Sequence, residues 1–218
     1  MNAYLYQAVI NILAGLMLVA GVFMLGRVRV RSLLRLFAVQ SLALSGLAAT
    51  TAIAEGRWHL WITAGLVFAL KTVFLPLFMV GVVVRGRVPE RLQSVMRPSL
   101  SMFVAALMAV FGFYLTILLA MPPGANFFVT AVSISLVLIG LLALVTRKGL
   151  YWQIIGFLIM ENGIFTLGLA LTGGMPLLVE VGVFFDVTVG ALLMALISYR
   201  VHDLEKRADT EALETLTD

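Results

Sequence analysis

The sequence predicts an all-α, polytopic membrane protein with seven transmembrane helices, its N-terminus outside and its C-terminus in the cytoplasm. Three observations predict it. The 218 residues are 62% hydrophobic and only 12% charged, against about 45–50% and about 25% in soluble domains. Apolar stretches of about 20 residues, enough to cross the hydrocarbon core, recur along the whole chain. The bases between them fall in alternate loops, the pattern by which positive charge fixes orientation.

The first span, residues 4–25, has no basic segment before it, and its bases follow it. That marks an N-out first helix rather than a cleaved signal peptide. Arg27, Arg29, Arg31 and Arg35 lead into the second span, 33–54. Glu55, Arg57 and His59 then precede the third, 60–84, where Pro76 is expected to kink the helix and free a carbonyl near Lys71. The third loop holds Arg85, Arg87, Glu90, Arg91 and Arg97. The fourth span, 99–121, ends in the uncharged Pro122-Pro123-Gly124. The fifth, 127–145, is followed by Arg147 and Lys148. The sixth, 151–172, is followed by the uncharged Gly173-Gly174-Met175, and the seventh is 176–199. Arg200, Lys206 and Arg207 come after it. Odd-numbered loops and the C-terminus therefore share the basic, cytoplasmic side, and among loop bases only Arg57 departs.

The chain divides into a four-helix part (1–122), a three-helix part (123–200) and a polar tail (201–218). The first three and last three spans share a layout, and the fourth restores the orientation between them, as an internal repeat requires. The absence of cysteine excludes disulfides, thiolate metal sites and iron–sulfur ligation by this chain. Of the two histidines, His59 lies beside Trp58 and Trp61 as an interfacial anchor, and His202 lies in the tail. No phosphate loop, catalytic triad or metal spacing is visible, so no cofactor is expected in this chain and no enzyme by itself. The net charge of +4 sits in short loops, which points to the lipid bilayer rather than to nucleic acid.

The informative residues are polar ones where hydrocarbon is expected. An ionisable group at mid-membrane costs about 2.5–3.5 kcal/mol on insertion scales. Glu161 and Asp186 each lie ten positions into their spans, and Lys71 eleven. At about 1.5 Å per residue all three reach mid-depth. Glu180 lies nearer the outer end, and Asn162 follows Glu161. The sixth and seventh spans are antiparallel neighbours across a short loop, which allows Glu161 and Asp186 to face one another at the 8–10 Å spacing of packed helices. Paired carboxyls in a low dielectric favour protonation, and a nearby Lys71 opposes it. That is the chemistry of a proton path through Glu161, Asp186, Lys71, Glu180 and Asn162. The alternative for each is structural: a protonated acid bonded between helices, a snorkelling lysine, an interfacial Glu180, or an Asn162 that binds a neighbouring helix. Two small-residue stripes, Gly182/Asp186/Gly190 and Ala38/Ser41/Ser45/Ala49, read as packing seams.

Arg147-Lys148 followed by Ile155-Gly156-Phe157-Leu158-Ile159-Met160-Glu161-Asn162 resembles the second helix of the K subunit of respiratory complex I. That family's essential glutamate falls at Leu158 here, so Glu161 stands one helical turn further along. The family's second membrane glutamate falls at Asp186. Met160-Glu161-Asn162-Gly163-Ile164-Phe165 and Val179-Glu180-Val181-Gly182-Val183-Phe184-Phe185-Asp186-Val187 resemble two motifs of the hydrogenase-4 component E family, which the chain also matches in its seven-span layout. The resemblance implies a non-catalytic membrane subunit of a group 4 nickel–iron hydrogenase or formate-hydrogenlyase-like complex in the bacterial inner membrane. Metal centres would lie in other subunits, with antiporter-like membrane subunits among its partners. A scaffold role in the same complex, or a C-type subunit of a multi-component cation/proton antiporter, are the alternatives.

Overall fold

The computed structural model describes residues 3–85, 96–148 and 150–172. The expected seventh span, with Glu180, Asp186 and the Gly182/Gly190 seam, lies outside the described residues, as does the polar tail. The described regular structure is helical: α1 (Ala3–Leu25), α2 (Val30–Glu55), α3 (Trp58–Leu66), a π-helical segment (Val67–Phe74), α4 (Leu75–Arg85), α5 (Pro98–Leu118), α6 (Phe127–Thr146) and α7 (Leu150–Thr172). The run from α3 through the π segment to α4 is one continuous span. Among the described residues, six helices are long and apolar enough to cross a membrane.

Local chemistry accounts for where the elements end. α2 begins at Val30 rather than 33, so Arg31 and Arg35 occupy its first two turns, where arginine is a good helix former. It ends on Gly56 at φ 65°, a left-handed conformation that glycine adopts without a Cβ clash. Just beyond, Arg57 pairs with Glu55 at 3.1 Å, which neutralises locally the one base that breaks the loop alternation. α5 opens with Pro98 in its first turn, where a missing N–H costs nothing. It stops at Leu118, short of the expected 121, where Leu119 turns extended at φ −81° and ψ 131°, ahead of Pro122 and Pro123. Asn126 caps α6 by accepting from the Val129 N–H at 3.1 Å. Its amide also donates to Gln7 Oε1 at 2.7 Å and Asn11 Oδ1 at 3.0 Å, tying the start of α6 to α1.

α2 is the hub, packed against α1, α3, the π segment, α4 and α7. The Ser45 hydroxyl donates to the Ala64 carbonyl at 2.8 Å, so the small-residue stripe on α2 does form a seam. The most extensive pairing is α6 with α7, and glycine makes it possible. A Cβ on Gly140 would stand 2.6 Å from the Met160 backbone nitrogen, and one on Gly163 would stand 2.8 Å from that of Val137. The two backbones touch because no side chain separates them. α5 leans on α6 and α1 and leaves Phe103, Val110, Tyr114 and Ile117 exposed, an apolar face suited to lipid.

Candidate functional site

The site begins with Pro76. Proline lacks an N–H, and its ring collides with the carbonyl four residues back. The helix responds before the proline by widening: the Leu75 N–H donates to the Leu70 carbonyl, five residues back rather than four. Pro76 then falls in the first turn of α4, where it is tolerated. A π-helical insertion of this kind often marks a functional position, and here the wide turn carries Lys71. The expectation of a kink becomes, in the structure, a change of hydrogen-bond register.

Lys71 is 1% exposed and Glu161 6%. Lys71 Nζ lies 2.9 Å from Glu161 Oε1 and donates to Asn162 Oδ1 at 3.2 Å. Glu161 and Asn162 are consecutive on α7, so one ammonium is held by two adjacent side chains. The chain of donors then runs on. Asn162 Nδ2 donates to Gln40 Oε1 at 3.2 Å, and Gln40 Nε2 donates to the Met17 carbonyl at 3.3 Å. Thr166 Oγ1 donates to the Asn162 carbonyl at 2.7 Å and lies 3.9 Å from Met17 Sδ. Four spans thus meet at one polar knot: α1 by its backbone, α2 by Gln40, the π segment by Lys71 and α7 by three side chains. A charge pair in such surroundings stands only because it is both paired and hydrogen-bonded.

The structure brings together Lys71, Glu161 and Asn162. Whether Glu161 faces Asp186 concerns a residue outside the described set, as does the place of Glu180. Gln40 was missed, although the signal was present: it is the one amide between 33 and 54. Asn162 bonds a neighbouring helix, as its structural reading expected, and also holds the lysine. Among the described residues no group of three or more His, Asp and Glu side chains forms a metal cluster.

Arg147 follows α6 beside Lys148, as the loop pattern expects, but it is folded inward. Lys148 is exposed, but Arg147 is 2% exposed. Its guanidinium stacks over the Trp152 ring at 4.7 Å and donates to the Leu25 carbonyl at the end of α1. Loop bases fold inward when an aromatic face and an unpaired helix-end carbonyl lie within reach. Burial lowers the Arg147 pKa, yet a guanidinium stays charged at neutral pH.

Fold and site together define a class: a helical membrane protein with a lysine–carboxylate pair buried between its spans. Within that class, the chain is 26% identical over 211 residues to hydrogenase-4 component E of Escherichia coli, covering 95% of this chain and 97% of that one. The Shigella flexneri protein of the same name matches equally. An uncharacterized protein of Mycobacterium tuberculosis is 26% identical over 215 residues, 98% of both chains. These end-to-end similarities support the resemblance to the hydrogenase-4 component E family. No family model matches the chain, and no solved structure matches it.

Proposed function

We propose that this chain is a membrane subunit of a complex I-related group 4 nickel–iron hydrogenase or formate-hydrogenlyase-like complex, seated in the bacterial inner membrane. It is not itself an enzyme and holds no cofactor. It contributes a mid-membrane proton path coupled to redox chemistry in other subunits. Seven spans with the N-terminus outside complete the arrangement, and antiporter-like subunits lie beside it. The relation to the complex I K subunit belongs to the same reading.

The observation that carries it is the Lys71–Glu161 pair at 2.9 Å. While the two touch, a proton moves between them with no change in net charge. When they part, the carboxylate loses its counter-charge in a low dielectric, where the protonated acid is favoured. A small displacement of the wide turn therefore converts into uptake or release of a proton. Asp186, at the same depth on the next span, is the partner that would pass it on.

The test replaces Glu161 with Gln and Asp186 with Asn in the assembled complex, and reads assembly and proton translocation separately. Loss of translocation per assembled complex, beyond any fall in the amount assembled, is the expected result, and normal translocation per assembled double-variant complex overturns it. A scaffold reading is favoured by one observation, that the polar knot ties four spans together. It predicts lost assembly with unchanged translocation per assembled complex.

A further inference from the structure

A cleft of about 350 Å³ opens at the end of the bundle opposite Arg27, Arg147 and Lys148. Its rim carries Gln7, Glu55, Arg57 and Asn126, and its buried lining includes Thr51, Ile10, Leu47 and Leu169. These three apolar residues bear a fixed relation to the polar knot. Ile10 is seven positions from Met17 on α1, Leu47 seven from Gln40 on α2, and Leu169 seven from Asn162 on α7. Seven residues are two helical turns, which returns each helix to nearly the same face about 10 Å along. The cleft floor and the knot are therefore two parallel layers of the same three-helix interface. Between them lie Ala14 and Leu44, both buried, and the buried hydroxyl of Thr166, which already donates into the knot.

We infer that this cleft is the water-filled vestibule through which protons reach Lys71 and Glu161 from the face opposite the basic loops. Ile10, Leu47 and Leu169 form its dry floor, and Thr166 is the intermediate hydroxyl. The inference rests on the proton-path reading above and adds to it a side and a route. A polar mouth supports water. The apolar layer two turns thick keeps that water from joining the knot continuously, as a path that must not leak requires. Two or three transient waters, with the Thr166 hydroxyl, bridge a gap of about 10 Å.

The chain has no cysteine, so each introduced thiol is unique in it. Thr51→Cys, Gln7→Cys and Lys148→Cys are placed in the full-length chain within the assembled complex in sealed vesicles. A charged, membrane-impermeant maleimide is added from one side or the other, and the mass shift of this chain is read. Gln7→Cys and Thr51→Cys are expected to react from one face and Lys148→Cys from the other. Thr51→Cys is then converted to a cationic or an uncharged methyl adduct, and proton translocation is compared with the unmodified variant. Thr51 is eleven residues from Gln40, about 16 Å along α2. At an effective dielectric of about 20, a unit charge there slows proton entry about fivefold, while the methyl adduct changes it less than twofold. Thr51→Cys unreactive from the Gln7 face overturns the vestibule. So does a cationic adduct without effect in a complex whose translocation Glu161→Gln abolishes. Translocation unchanged by Glu161→Gln marks instead the failure of the proton-path reading, and the vestibule's role falls with it.

Discussion

Two basic side chains, Lys71 and Arg147, are among the largest fully buried groups in this protein, and the structure stabilises them in opposite ways. Lys71 is held between the spans by an acid, Glu161 at 2.9 Å. Arg147, just past the end of α6, is held by neutral groups, the Leu25 carbonyl and the face of Trp152. The difference follows from what each base can do. A lysine ammonium is a compact point charge on a flexible stem, and its partner here is itself ionisable. A guanidinium stays charged, so it suits a permanent clamp between helix ends. Burial alone therefore does not distinguish the two charges; the chemistry of the partner does.

The comparison is broken most severely at Glu161. Glu161→Gln leaves Lys71 buried without a counter-charge, an arrangement that costs about 3–5 kcal/mol. A large drop in thermal stability in detergent is expected, and Lys71→Met combined with Glu161→Gln recovers most of it. Failure of the second change to rescue would show that the pair is not coupled. Arg147→Ala removes one charge-assisted hydrogen bond and the ring contact, for a loss of about 2–3 kcal/mol. Because its partners do not titrate, that loss is expected to be the same at pH 6 and pH 8, and a strong pH dependence would contradict the clamp.

Gln40→Leu leaves the Asn162 amide without its acceptor and costs about 1–3 kcal/mol. Its more telling readout is the pH profile of translocation, which shifts if Gln40 positions Asn162 and through it Lys71. An unshifted profile would reduce Gln40 to packing. The smallest effect is expected from Arg147→Lys, which keeps the charge but loses the planar stack, for about 1 kcal/mol. The reciprocal Lys71→Arg is expected to lower translocation per assembled complex, because a planar guanidinium does not reproduce the contacts of the ammonium with Glu161 and Asn162.

Depth was legible in the sequence, and partners were legible only in part. Counting along apolar runs placed Lys71 and Glu161 at one level, since rise per residue is fixed. It placed Asn162 beside them for the same reason. Which side chains touch depends on how the helices rotate against one another, and no single-chain count gives that. Gln40 was visible as an isolated amide, yet nothing local joined it to a residue 122 positions away. The inward fold of Arg147 was not legible, because a base after an apolar run can meet solvent or turn inward, and the choice rests on Trp152 and Leu25 arriving from other elements. The span boundaries moved by up to three residues, as at Val30 and before Pro122. Pro76 announced a perturbed helix but not the form of the perturbation.

That form has a consequence for comparing relatives. A π-helical turn holds one more residue than the α-turn it replaces. Between Val67 and Phe74 the chain therefore contains a residue that its length across the bilayer does not require. A homologue with regular α-helix there would be one position shorter, and its equivalent of Pro76 or of Lys71 would be displaced by one in an ungapped alignment. Homology at this span is properly anchored on the two flanks separately, with the gap allowed to fall beside the lysine.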